Sequence, residues 1–277
     1  MTSMVAADYS ALQAALPGRV NLDEPLARHS SFKIGGPADC LARPGDEAEL
    51  LACLNFAREK GLPVFLLAGG TNLLVRDGGI RGLTLKLEGS FRELSLHGNL
   101  ARAGAGMNLA LLAKKTALAG LAGIECLVGV LEAGALRTLA NEDCGFEYRH
   151  SKFKGAATLL LWAELQLRQA EPAELQARME EALAKRRATQ PLDLPNAGCV
   201  FKNPVGASAG RLIDECGLKG RRIGGAEISA VHANFVVNTG AARAADVLAL
   251  MEEARRVVFE KKGVRLEDEV LVVGEDV

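Results

Sequence analysis

The sequence predicts an α+β protein in two parts. Its 277 residues leave room for one large domain or two to three small ones. Strand and helix patterns succeed one another along the chain with no internal repeat and no low-complexity segment. Gln190-Pro191-Leu192-Asp193-Leu194-Pro195 reads as a stiff connector, the best boundary between the parts.

The elements follow in order. Residues 1–27 are amphipathic and carry little information. Gly35-Gly36-Pro37 is a turn signal. Asp46 can cap a helix to about Lys60 with Leu50, Leu51, Leu54 and Ala57 on one face, ended by Gly61 and Pro63. Val64–Ala68 reads as a buried strand. Further strands are expected at 83–87, 94–97 and 100–105. A helix at 108–119 has Leu109, Leu112 and Thr116 on its apolar side. Residues 120–130 are Gly-rich and apolar. A strand is expected at 158–167, with Glu164 and Gln166 facing out, and a charged helix at 172–189 with Pro172 in its first turn. Beyond the connector, Ser208 caps a short helix ended by Gly217. A strand at 234–238, a long helix at 242–262 and a strand at 264–273 complete the chain.

Composition excludes several functions. Hydrophobic content of 49% with 24% charged residues is that of a globular protein. A net charge of -1 gives no basic field for nucleic acid, and 4% aromatics give no base-stacking surface. The six Cys form no C-x-x-C, and none sits with the four dispersed His at metal-ligand spacing, so no metal is expected. No signal peptide and no membrane-long apolar run is visible, so a reduced, cytoplasmic protein without membrane contact is expected.

Chemistry concentrates in Ala197-Gly198-Cys199-Val200-Phe201-Lys202-Asn203-Pro204. A thiol, an ammonium and an amide lie within five residues, bracketed by Gly and Pro. In extended chain Cys199, Phe201 and Asn203 share one face, and Val200 and Lys202 the other. A lone Cys is more often a buried structural residue than a reactive one. A second stretch, Ala68 to Gly79, offers Gly69, Gly70, Thr71 and Asn72 directly after a strand, with unhindered N–H groups that suit a phosphate. A plain Gly-Gly hairpin is the even alternative. It is neither a Walker loop nor G-x-G-x-x-G opening a helix.

Four blocks read together: RHSSFKIGGPAD, LAGGTNLLVRDGGIRG, FEYRHSKFKG, and AGCVFKNP with SAGRLIDECGLKGRRIGGAEISAVHANFVVN. In that order, with the final LEDEVLVVGE, the chain resembles the UDP-N-acetylenolpyruvoylglucosamine reductase family of peptidoglycan precursor synthesis. The likeness runs from about residue 20 to 275. It implies an FAD-binding region over 1–189, with subdomains of about 1–68 and 69–170 and then the helix 172–189, and a substrate domain over 190–277. It implies a reaction in which hydride from NADPH reaches the enolpyruvyl C3 of a UDP-sugar by way of FAD, while a proton is delivered at C2. Cys199 matches the proton donor, usually Ser, and a thiol with a pKa of ~8.5 gives up its proton far more readily than a hydroxyl. Arg149 matches the residue that stabilises the enolate, a role a permanently charged fork suits. Glu269 matches a second acid–base carboxylate, although by itself it reads as a solvated strand-end acid. Gly69, Gly70, Thr71, Asn72 and Leu73 match the first FAD-contacting loop, and Gly35–Asp39 a turn supporting it. Tyr148, Lys202, Asn203, His232 and Asn234 are expected to line the substrate or nicotinamide pocket; a surface charge for Lys202 and a satisfied loop residue for His232 are the plainer alternatives. The site is expected in the cleft where Arg149, Cys199 and Glu269 converge, in a monomer. Glu227 stands where the family carries Gln.

One departure matters. After Val130 the family pattern continues with a Pro-Gly-Thr-Val-Gly-Gly run and a Gly-rich loop that cradle the FAD pyrophosphate. Here Leu131-Glu-Ala-Gly-Ala-Leu-Arg137 follows at once, resembling the end of a later hairpin. Either the natural chain carries residues absent from this sequence, or the chain is shortened and FAD affinity falls by roughly several kcal/mol of lost charge-assisted bonds. Two rivals follow: another flavin oxidoreductase of the same superfamily, and a non-catalytic UDP-sugar-binding protein that has lost its flavin site.

Overall fold

The computed structural model describes residues 8–132, 135–146, 151–153 and 158–277, with side chains outside 124–137. In chain order the elements are α1 (Ser10–Ala15), β1 (Val20–Pro25), β2 (Pro37–Ala42), α2 (Glu47–Glu59), β3 (Val64–Leu66), β4 (Leu73–Val75) and β5 (Ile80–Leu85). Then come β6 (Leu94–His97), β7 (Leu100–Gly104), α3 (Leu109–Leu118), β8 (Leu121–Glu132), β9 (Ala135–Leu139), β10 (Thr158–Gln169) and α4 (Pro172–Thr189). The last stretch holds β11 (Asn196–Cys199), α5 (Ala209–Glu215), β12 (Arg222–Ile223), β13 (Ala226–Ile228), β14 (Phe235–Asn238), α6 (Ala244–Lys262) and β15 (Leu271–Val273). The chain divides into two compact units. One is Met1–Val20, Ala42–Gly61 and Leu85–Ala182; the other is Asn21–Leu41, Leu62–Thr84 and Leu183–Val277.

The first unit is built on an antiparallel sheet of order β6-β7-β10-β8-β9. The inward residues of β10, Leu161, Leu165 and Leu167, are buried. Leu165 and Leu167 form a core with Ala101, Ala103, Leu112 and Leu121. The α3 helix starts where the Asn108 side chain accepts from the N–H of Leu111. Its buried side is Leu112, Thr116 and Ala117, and Leu109, expected inside, is 79% exposed because it lies in the first turn beyond the sheet-facing stripe. The α2 helix begins at Asp46, whose carboxylate accepts from Glu49 N–H at 2.9 Å. It buries Leu50, Cys53, Phe56 and Ala57; Leu51 turns outward, so the apolar face is one residue-step round from that expected.

Across the Val130–Leu131 junction, β8 runs without interruption. Leu160 pairs with Val130, Leu159 with Leu131 and Thr158 with Glu132, while β9 pairs along the other edge. A continuous strand thus stands where the sequence reading looked for a second Gly-rich cradle.

The second unit holds three sheets. One has the order β1-β2-β5-β3, one the order β11-β14-β13-β12, and the parallel pair β15-β4 aligns Leu271 with Leu73. The β3 strand is an edge, and Val64 and Leu66 are exposed, correcting the expectation of a buried strand. The α6 helix lays Val247, Leu250, Met251, Ala254 and Val258 into a core with Phe32, Leu74, Phe201, Ile213 and Val236. Its first N–H groups, from Ala244 and Ala245, are taken by the Asp77 carboxylate at 2.8 and 3.0 Å. The expected strand 264–273 is regular only at β15. Upstream of it, Asp268 makes an isolated antiparallel bridge with Phe201, because residues 267–270 give their backbone groups to 200–202 rather than to a ladder.

Candidate active site

The candidate residues lie within the second unit, apart from Tyr148 and Arg149, which are outside the described residues. Gly198 takes φ +82° and marks an irregular register between β11 and β14, after which Cys199 pairs with Phe235. Cys199 is half-buried. Strict alternation stops there: Val200 and Phe201 are both buried, at 1% and 2% exposure, because both pack into the same core. Lys202 is half-buried and pairs with Glu267 at 3.1 Å, while Asn203 is exposed and its Oδ1 accepts from Ala209 N–H at 3.0 Å.

Glu269 stands on the adjoining segment. Its N–H donates to the carbonyl of Val200 at 2.9 Å, directly after Cys199 in the chain. One carboxylate oxygen, Oε2, is buried. The acid is therefore not the solvated strand-end residue that its sequence neighbours imply. The flanking Asp268 is drawn aside by Arg255 at 2.7 Å, whose guanidinium lies 5.6 Å over the ring of Phe201.

The Gly-rich loop reaches the same place. The Asn72 side chain donates to the carbonyl of Glu269 at 3.0 Å, and Leu271 N–H donates to Asn72 at 3.1 Å. The N–H groups of Gly69, Gly70, Thr71 and Asn72 donate to no protein acceptor among the described residues. Gly70 has φ +64°, and a Cβ there would collide with the carbonyl of His29. Four successive free donors on a loop with no room for a larger residue at Gly70 fit a phosphate-bearing cofactor. Gly36 and Gly79 pack against Asp77 and Pro37, which fixes the supporting turn.

One expectation changes. Asn234 does not line a pocket. It is 2% exposed, its Nδ2 donates to the Phe201 carbonyl at 2.8 Å, and its Oδ1 accepts from Phe201 N–H at 3.0 Å. The side chain replaces a missing strand partner for Phe201. His232 is half-buried, packs edge-on to Phe235 at 4.9 Å, and its Nδ1 accepts from Asn234 N–H at 3.2 Å. Burial holds its pKa below the usual imidazole value, with the Lys219 charge adding to the depression against its own backbone. Glu227 is explained by its neighbour: Arg222, its cross-strand partner, forks onto it at 2.5 Å. Among residues that sequence reasoning passed over, Ser31 links the loop to β11 and Asp77 caps α6. Both partners are more than 150 positions away in the sequence, so no local pattern marks them.

An open surface hollow of about 600 Å³ lined by Ser208, Arg211 and Glu215 contains none of these residues. Among the described residues no group of three His, Cys, Asp or Glu could hold a metal ion, and no helix is long and apolar enough to cross a membrane.

The loop of free amides, the half-buried acid and the thiol lie in one unit, and the comparisons place the chain among flavin-dependent oxidoreductases. An FAD binding domain model matches residues 38–132, and the C-terminal domain model of UDP-N-acetylenolpyruvoylglucosamine reductase matches 190–273. A UDP-N-acetylenolpyruvoylglucosamine reductase 2 of Symbiobacterium thermophilum is 42% identical over 287 residues, 93% of each chain. The reductase of Moorella thermoacetica is 42% identical, covering 95% of this chain and 96% of its own. The crystal structure of the reductase from Thermus caldophilus superposes with a TM-score of 0.77 at 35% identity, over 92% of this chain and 98% of that one. The chain belongs to the UDP-N-acetylenolpyruvoylglucosamine reductase family. Against the Symbiobacterium relative, 93% of 277 residues is about 258, set against 287 aligned positions, which leaves about 29 with no counterpart here. The FAD-domain match ends at residue 132, two residues past the junction.

Proposed function

We propose that this chain reduces the enolpyruvyl group of UDP-N-acetylglucosamine enolpyruvate, giving UDP-N-acetylmuramate, with NADPH as reductant and FAD as bound cofactor. The observation that supports it most is the hydrogen-bond net joining the Gly69–Asn72 loop, Glu269 and the Cys199 strand in one unit. When bound, FAD supplies the relay of hydride from NADPH to the substrate. The free amides of Gly69–Asn72 would hold its phosphates, with Leu73 anchoring the loop to β15. Cys199 would deliver the proton at C2, the step in which a positioned general acid gains about 10²–10⁴ in rate. Glu269, with one oxygen shielded from water, would hold a proton near the same centre, and Arg149 would balance the enolate charge. Lys202, Asn203 and His232 remain candidates for substrate or nicotinamide contact, with Tyr148 beside Arg149 in sequence.

The test is a Cys199→Ala variant followed in half-reactions. NADPH should still bleach the flavin, while turnover of the UDP-sugar falls by about 10²-fold or more. If both half-reactions keep their normal rates, Cys199 is not the donor. The continuous strand through Val130–Leu131 favours a second reading, a UDP-sugar-binding protein without flavin. A purified protein that lacks the yellow flavin bands and takes up no added FAD would support that reading instead.

A further inference from the structure

We propose that Ser31 is a positioning residue that sets the cofactor loop against the strand carrying Cys199; this rests on the function proposed above. Ser31 makes two ties to two different segments. Its backbone N–H donates to the carbonyl of Gly70 at 2.9 Å, inside the loop of free amides. Its hydroxyl donates to the carbonyl of Asn196 at 2.7 Å, at the start of β11. A hydroxyl has one proton, and the 3.5 Å approach to the carbonyl of Thr71 is too long to compete for it. The loop side is thus held by main chain and the strand side by side chain alone.

Both ends of this tie are stiff. Residues 29–31 press on the loop so closely that Gly70 has no room for a Cβ beside His29 and Ser30. The turn is closed by Ser30 Oγ donating to the Ile34 carbonyl at 3.0 Å and by Lys33 at φ +56°. On the other side, Asn196 donates from Nδ2 to the carbonyls of Pro191 and Leu194 and accepts from Gly198 N–H at 2.9 Å. Cys199 follows one residue later. Asn72 ties the same loop to Glu269. The loop is therefore clamped between the two acid–base candidates. A shift of the thiol relative to the reacting carbon of order 1 Å costs up to about 10²-fold in rate.

Removing the hydroxyl cuts only the strand-side tie. Ser31→Ala is expected to slow electron transfer from reduced flavin to the UDP-sugar by about ten-fold. Reduction of the flavin by NADPH, and the FAD dissociation constant read by flavin fluorescence on the apoprotein, should each change by less than about three-fold. Deuterium uptake in peptides spanning 196–200 should rise, and uptake at 69–73 should not. Ser31→Thr, which keeps a hydroxyl, should restore the rate and the protection. Should the Ala variant fail to fold, Ser31→Cys, with similar volume and a weak donor, gives the same comparison. Parallel loss in both half-reactions, a matching loss of FAD affinity, or unchanged uptake at 196–200 overturns the proposal. If the unaltered protein takes electrons from NADPH but passes none to the UDP-sugar, the function proposed above fails, and the uptake comparison alone decides the role of Ser31.

Discussion

Replacing Asn234 by Ala separates two roles for a residue next to the site. Its amide is buried and bonded at both ends to the backbone of Phe201, at 2.8 and 3.0 Å. Truncation leaves the N–H and the carbonyl of Phe201 without partners in a place that water does not reach. Each buried orphan costs roughly 1–3 kcal/mol, so a loss of about 3 kcal/mol is expected. For a chain of this size that corresponds to a drop of roughly 6–12 °C in melting temperature. Calorimetry of the apoprotein reads this without substrate or cofactor. Because Phe201 lies two residues from Cys199, kcat should fall as well. A residue that lined the substrate pocket would instead leave melting almost unchanged and raise KM. A shift below about 1 °C, with a raised KM, would refute the assignment of Asn234 to Phe201.

Two further outcomes follow from the same unit. Asp77→Ala removes the acceptor for the first two N–H groups of α6 and should cost about 1–2 kcal/mol in urea unfolding, whereas Asp77→Asn, which keeps one acceptor oxygen, should cost less. His232 has its pKa lowered in the folded state by burial, so the unfolded chain binds the proton more readily. Its contribution to stability is complete above the ordinary imidazole value of 6.5 and is lost as pH falls from there toward the depressed folded value. Protonation also removes the acceptor used by Asn234 N–H. His232→Gln should flatten the stability profile below pH 6.5, and melting curves across that range check it.

Much of the architecture was legible because its causes are local. Asp46 and Asn108 announce helix starts, Gly61 and Gly217 mark helix ends, and the helix expected at 172–189 is observed at Pro172–Thr189. These depend on residues within one turn of each other. The burial of Val64 and Leu109 was misread for the complementary reason: whether a strand lies at an edge, or which face of a helix meets a sheet, depends on elements far away in sequence.

The ordered blocks from RHSSFKIGGPAD to LEDEVLVVGE determined the family by themselves, and side-chain type limits what a thiol, a carboxylate or a bare amide can do. Tertiary structure alone decided who serves whom. Asn234 turned from ligand contact to backbone partner, Glu269 from solvated acid to half-buried neighbour of the Cys199 strand, and Ser31 from an unremarked residue to a clamp. Each of those roles depends on a hydrogen bond between residues 33 to 197 positions apart, over which a short-range pattern carries no information.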